Sequence, residues 1–129
     1  MKDSKRFNAF ALILALAIMV FSSGMKVSAY TKTQYGLTMK GDNSISKTKG
    51  SAWGSVSPQS YISLASVYKY KNSSGKTKTV PTDLTGAGGS TGASWSYKLP
   101  SGSVSKSINT NWLGIYKGHK VPKEITTVY

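Results

Sequence analysis

The sequence lacks cysteine altogether and contains a single histidine, His119. Disulfide cross-links are therefore excluded, and so is the cysteine on which a lipoprotein carries its lipid. Zinc sites need several histidine or cysteine ligands, so a structural or catalytic zinc is excluded as well. We accordingly predict a protein that holds no metal and no cofactor.

Acidic residues are also scarce, with four in 129 residues. Beyond the N-terminal segment they are Asp42, Asp83 and Glu124. A glycosidase pair of carboxylates would have to come from these three. A catalytic triad would need His119, Asp83 and a serine, and none of the serines lies in a Gly-x-Ser-x-Gly elbow. We predict that the protein is not an enzyme, and a small hydrolase built on His119 is the alternative to test.

Long apolar runs are absent except at the N-terminus. There, Lys2, Lys5 and Arg6 precede thirteen consecutive apolar residues, Ala9–Phe21. A membrane-spanning helix needs about 20 such residues, whereas the core of a signal peptide needs fewer. The run therefore predicts a signal peptide and a protein without a transmembrane span in its mature form; an uncleaved anchor is the alternative.

The residues that follow suggest where the signal peptide is cut. Val27-Ser28-Ala29 is a small-x-small ending of the kind that signal peptidase accepts. We predict a helical signal peptide over residues 1–29, cleaved between Ala29 and Tyr30. The mature protein would be secreted and extracellular or associated with the cell surface. An exported domain without disulfides favours a Gram-positive bacterium as its source.

Arginine is missing beyond the predicted cut, where thirteen lysines face three acidic residues and give a net charge of +10. Lysine attracts polyanions diffusely and in a salt-dependent manner, and does not supply the forked contacts with which arginine reads bases. We predict binding to anionic cell-envelope polymers or wall precursors and no specific binding to nucleic acid; a role in solubility alone is the alternative. The candidate contacts are Lys69, Lys71, Lys76, Lys78, Lys98, Lys106 and Tyr61.

Helical periodicity is also missing beyond the apolar run, and short alternating segments predict an all-β domain. Residues 30–50 are polar and weakly patterned, so we predict a flexible basic arm with one short strand near 35–39. Residues 51–129 predict a small antiparallel β-sandwich, because strand patterns alternate with turn signals. The predicted strands are 52–57, 61–70, 77–80, 93–99, 104–117 and 124–129.

Phenylalanine is confined to the first 21 residues, so the core must use other aromatic residues. We predict that Trp53, Trp95 and Trp112 all lie in it. The glycine-rich stretch 83–92 lacks the lysine and the following helix of a phosphate-binding loop. It is therefore interpreted as a connector between the two sheets.

The region 65–117 resembles the lactococcin 972-like bacteriocins, a family of short, cationic, cysteine-free secreted proteins. The similarity is carried by Gly92-Ala93-Ser94-Trp95, by the turn and return strand Ser101–Lys106, and by the aromatic end Trp112–Tyr116. The resemblance implies a small β-sandwich that acts on cell-wall assembly from outside, by binding an anionic wall precursor and not by catalysis. It supplies no catalytic residue.

These observations predict a secreted, cationic, non-enzymatic protein of the cell envelope with bacteriocin-like antibacterial activity. A structural or adhesive protein of the cell wall or matrix is the alternative. The sequence leaves both a monomer and a homodimer open.

Overall fold

The computed structural model describes residues 24–81, 85–87 and 92–129, and these residues form β-strands and turns. Within them there is no helix long and apolar enough to cross a membrane. Most of the predicted signal peptide lies outside the described residues, and so does Asp83. The strands are β1 Lys26–Gln34, β2 Leu37–Ile45, β3 Lys49–Ser57, β4 Tyr61–Lys71, β5 Thr77–Pro81, β6 Thr85–Ala87, β7 Gly92–Lys98, β8 Val104–Tyr116 and β9 His119–Val128.

The strands form two antiparallel sheets. The first sheet has the order β1-β2-β3-β7, and the second has the order β5-β4-β8-β9, with β6 also pairing with β4. The predicted all-β, antiparallel architecture is thereby confirmed. The chain passes from the second sheet to the first between Ala87 and Gly92, so the glycine-rich stretch does connect the sheets.

Residues of both sheets contribute to the core, which forms two clusters. In β4 the alternation of Ile62, Leu64 and Tyr68 places these side chains inward, as the sequence predicts. The first cluster consists of Leu37, Met39, Ala52, Val56, Ile62, Leu64, Trp112 and Val121. The second consists of Ile45, Tyr68, Leu99 and Ile108. Burial of these apolar side chains from both sheets holds the sheets together.

The prediction of a flexible arm over residues 30–50 is wrong. This region contains most of β1, all of β2 and the start of β3, and β1 and β2 are paired from Lys26↔Ile45 to Gln34↔Leu37. They are joined by a two-residue turn in which Tyr35 and Gly36 both have positive φ angles, 54° and 78°. That geometry suits a tight hairpin, because its twist matches that of the flanking strands.

A buried polar network lies between the two sheets and joins four strands, β2, β4, β8 and β9. The Asn43 amide Nδ2 donates to Thr110 Oγ1 and to the carbonyl oxygen of Ile125, each at 3.1 Å. Its Oδ1 accepts a 2.5 Å hydrogen bond from the Thr127 hydroxyl. Thr110 in turn shares a 2.8 Å hydrogen bond with Ser66. Buried polar groups are stable when they are paired in this way, so the network fixes the register of β2 against β8 and β9.

We predict that Asn43→Ala lowers the free energy of unfolding by about 2–3 kcal/mol, because it leaves Thr110 and Thr127 buried without this partner. The matched control is Asn109→Ala. Asn109 also bonds two side chains, Glu124 at 2.9 Å and Thr126 at 2.8 Å, but at the surface. Urea denaturation should show a loss below about 1 kcal/mol for the control. Equal losses for the two variants would contradict the account of the network.

Candidate functional site

One end of the molecule concentrates exposed lysines on turns and strand ends. At this end the β2–β3 turn, the β4–β5 turn and the β7–β8 turn come together. Backbone N–H groups of Leu99 and Ser105 donate to the carbonyls of Thr48 and Lys47, each at 2.8 Å, and tie the turns of the two sheets together. We call this region the basic end; it comprises Lys47, Lys49, Lys69, Lys71, Lys76, Lys78, Lys98 and Lys106.

The basic end contains all six lysines predicted from the sequence as candidate contacts, so the fold brings those six together. It does not include Tyr61, which begins β4 and lies at the opposite end of that strand, half-buried and paired with Ile115. The sequence interpretation missed Lys47 and Lys49, because it assigned them to a flexible arm. Whether any of these side chains contacts an anionic surface stays a prediction.

The segments that carry the lysines of the basic end, 46–49, 69–78 and 98–106, contain no Asp or Glu. Lys49 and Lys98 are directly opposite each other in the β3–β7 pair, and both are exposed on the outer face of the first sheet. Like charges directly opposite each other in a sheet destabilise it, so an anion placed between them would be favourable.

A second feature of the outer face of the first sheet is an exposed tryptophan. Trp53 is 41% exposed, which shows that its assignment to the core is wrong. Its neighbours in β3, Ala52 and Gly54, are buried, so the alternation of the strand places the indole outward. Trp112 does occupy the core, and Trp95 is partly buried against both clusters.

The surface around Trp53 is flat and rich in hydroxyl groups. Register pairs place Asp42 on one side of Trp53 and Ser94 on the other. Shallow depressions flank the indole along the β3–β7 pair, one reaching Ser55 and Gly92 and the other reaching Ser51 and Ser96. We call this surface the Trp53 face; its outward residues are Lys40, Asp42, Ser44, Lys49, Ser51, Trp53, Ser55, Gly92, Ser94, Ser96 and Lys98.

Trp53 is held in place from both sides of the sheet. On the inner side its carbonyl oxygen accepts a 2.9 Å hydrogen bond from the indole Nε1 of Trp112. On the outer side its own indole N–H donates to the Asp42 carboxylate. Burial raises the pKa of the Asp42 carboxyl, and the hydrogen bond from Trp53 opposes that shift. The face therefore presents a fixed aromatic plane beside a hydrogen-bonded carboxylate.

The candidates for catalysis that lie among the described residues are not brought together. His119 stacks on Tyr35, with ring centroids 4.2 Å apart and an angle of 11° between the planes. Asp42 lies on the outer face of the first sheet, whereas Glu124 lies on the second sheet and accepts a hydrogen bond from Asn109. The described residues contain no group of three or more His, Asp or Glu residues that could hold a metal ion.

Comparison with known proteins yields no assignment: no protein-family model matches the sequence, and no curated protein matches it significantly.

The raised pKa of Asp42 predicts the pH dependence of stability. A carboxyl whose pKa is higher in the folded than in the unfolded protein costs stability as the pH rises through that raised value. Asp42→Asn cannot ionise and should therefore unfold at a higher temperature than the wild type at pH 7. Well below the ordinary value of 3.8 the two should differ little. An Asp42→Asn protein that is less stable at pH 7 but equal in acid would contradict this sign.

Proposed function

We propose that the protein is a secreted, cationic, non-enzymatic β-sandwich that binds anionic polymers or wall precursors of the Gram-positive cell envelope and acts as a bacteriocin-like antibacterial. The observation that supports this most is the basic end. Eight exposed lysines project from turns and strands that converge there, without an acidic residue among them. Such a patch attracts a polyanion through its summed field.

Because the positive charges are those of lysine, they favour a flexible anionic polymer as the ligand over a nucleic acid of specific sequence. A lysine ammonium is a compact point charge on a mobile stem, so it follows a phosphate chain without requiring one geometry. Binding of this kind weakens as salt screens the charges. Outside a Gram-positive cell, teichoic acids and phosphate-bearing wall precursors have the matching chemistry.

The antibacterial version rests on the resemblance of region 65–117 to the lactococcin 972-like bacteriocins. A structural or adhesive wall protein is the second candidate, and the exposure of aromatic side chains favours it. Tyr35 is 53% exposed and Tyr129 is 39% exposed, so both are available for contacts with a matrix. Growth inhibition of related Gram-positive strains at micromolar protein distinguishes the two, because adhesion alone does not arrest growth.

We predict that Lys71→Gln combined with Lys106→Gln weakens sedimentation with purified Gram-positive cell walls on the order of tenfold at low ionic strength. The matched control is Lys117→Gln combined with Lys120→Gln, which removes the same charge from exposed positions at the opposite end. The control should retain nearly wild-type binding. Wall binding that is insensitive to salt, or equal losses for the two variants, would contradict a role of the basic end.

A further inference from the structure

We propose that the Trp53 face binds an anionic glycan, with one sugar ring stacked on the indole of Trp53 and a phosphate or carboxylate group between Lys49 and Lys98. This inference rests on the proposed function and names the part of the envelope polymer that is recognised. Its occupant is an anionic polymer that carries sugar rings, rather than a protein or a polyphosphate without sugars.

The aromatic plane provides the first argument. An exposed indole fixed by hydrogen bonds offers a rigid apolar surface at little entropic cost, and the C–H face of a pyranose ring is its natural partner. Trp53 meets both conditions. Its side chain is 41% exposed, its indole N–H is hydrogen-bonded to Asp42, and the backbone carbonyl oxygen beneath it accepts a 2.9 Å hydrogen bond from Trp112. Gly92 projects no side chain beside it, which leaves access to the ring along β7.

The polar groups around the indole provide the second argument. Sugar hydroxyls need donors and acceptors at the edge of the stacked ring, and serine hydroxyls and a carboxylate supply both. Asp42 and Ser94 are the cross-strand neighbours of Trp53 on its two sides. Asp42 faces outward beside the indole, so the acceptor sites of its carboxylate that Trp53 does not use are available to sugar hydroxyls.

Charge and spacing provide the third argument. Lys49 precedes Trp53 by four residues on the same face of β3, a separation of about 13 Å along the strand. Ser51 and Ser96 form the hydroxyl pair between the two positions. A short glycan segment can therefore cover the indole and place a negative group at the Lys49–Lys98 pair. The two lysines of that pair repel each other when no ligand is bound, so their positive charges favour an anionic ligand.

Fluorescence titration with two polymers tests this proposal: poly(glycerol phosphate) bearing glycosyl substituents, and the same polymer without sugars. The wild type should bind the glycosylated polymer more tightly. Trp53→Ala should weaken that binding by about tenfold and leave the sugar-free polymer bound as before, whereas Trp53→Phe should retain part of the preference. The protein has three tryptophans, and replacing Trp53 changes their combined emission. Binding by the Trp53 variants is therefore measured from the fluorescence of a dye attached to the polymer.

Lys49→Gln combined with Lys98→Gln should weaken the binding of both polymers, and Lys117→Gln combined with Lys120→Gln should change neither by more than about twofold. Thermal unfolding checks that every variant is folded. Equal affinity of wild type and Trp53→Ala for the glycosylated polymer would overturn the glycan site while leaving binding to the envelope intact. If the wild type binds neither polymer, both proposals fail.

A separate observation concerns processing of the N-terminus. Strand β1 begins at Lys26, and its first four residues pair with β2 from Lys26↔Ile45 to Ala29↔Asp42. The Ser28 hydroxyl lies 2.7 Å from Oγ1 of Thr127, a member of the buried network. A cut after Ala29 would remove these four residues and leave part of the edge of β2 without its strand partner.

We therefore infer that signal peptidase cuts between Gly24 and Met25, which leaves β1 whole. Ser22-Ser23-Gly24 is also a small-x-small sequence, and it follows the apolar run directly. Mass spectrometry of the protein secreted from the full-length chain tests this inference. An N-terminus at Met25 is expected, and an N-terminus at Tyr30 or an uncleaved chain would overturn it.

Discussion

The position of Trp112 constrains both the core and the outer surface. Its indole is 2% exposed and lies between the sheets, where Gly41 and Gly54 of the first sheet leave room for it. A Cβ atom at Gly54 would lie 2.7 Å from Trp112 Cδ1, which is too short a contact. A Cβ atom at Gly41 would clash with the carbonyl oxygen of Trp53, the group that accepts the hydrogen bond from Trp112. The ring and its hydrogen-bond partner therefore require glycine at these two positions.

The same indole links the core to the Trp53 face. Its N–H is paired with the carbonyl oxygen of Trp53, and Tyr30 packs against the ring edge at a centroid distance of 4.8 Å. A buried indole N–H needs a partner, so this bond satisfies the core and at the same time fixes the backbone beneath the outward-facing tryptophan. A rigid support of this kind limits the entropy that a binding surface loses when a ligand stacks on it.

The sequence predicted much of the fold from Ala52 onward, because strands such as β4 and β7 alternate apolar and polar residues. It did not predict β1, and of β2 it predicted only a short strand near 35–39. Their inward positions include Gly41, which makes room for Trp112, and Asn43, which completes the polar network. Neither residue is apolar, so the alternation that signals a strand is interrupted where packing against a partner strand determines the residue.

The sequence predicted six lysines of the candidate site but not Lys47, Lys49 or the exposure of Trp53, because these depend on how the strands pair. Clustering of lysines follows from strand order, which brings Lys47 of the β2–β3 turn against Ser105 at the start of β8, and the linear sequence does not show that contact. The outward position of Trp53 follows from the alternation of side chains along β3. The inward positions of this strand are taken by Ala52, Gly54 and Val56, which are small or apolar. The sequence interpretation instead placed Trp53 inward, because it is the largest apolar residue of the strand.

The central claim is that an anionic glycan occupies the Trp53 face. The most direct measurement is the NMR signal of the indole N–H groups during titration with glycosylated poly(glycerol phosphate). The account predicts that the Trp53 indole resonance shifts or broadens together with the backbone amides of Lys49 and Lys98, while the Trp112 indole remains unchanged. An unchanged Trp53 resonance, with shifts confined to the turn at Lys117 and Gly118, would contradict it.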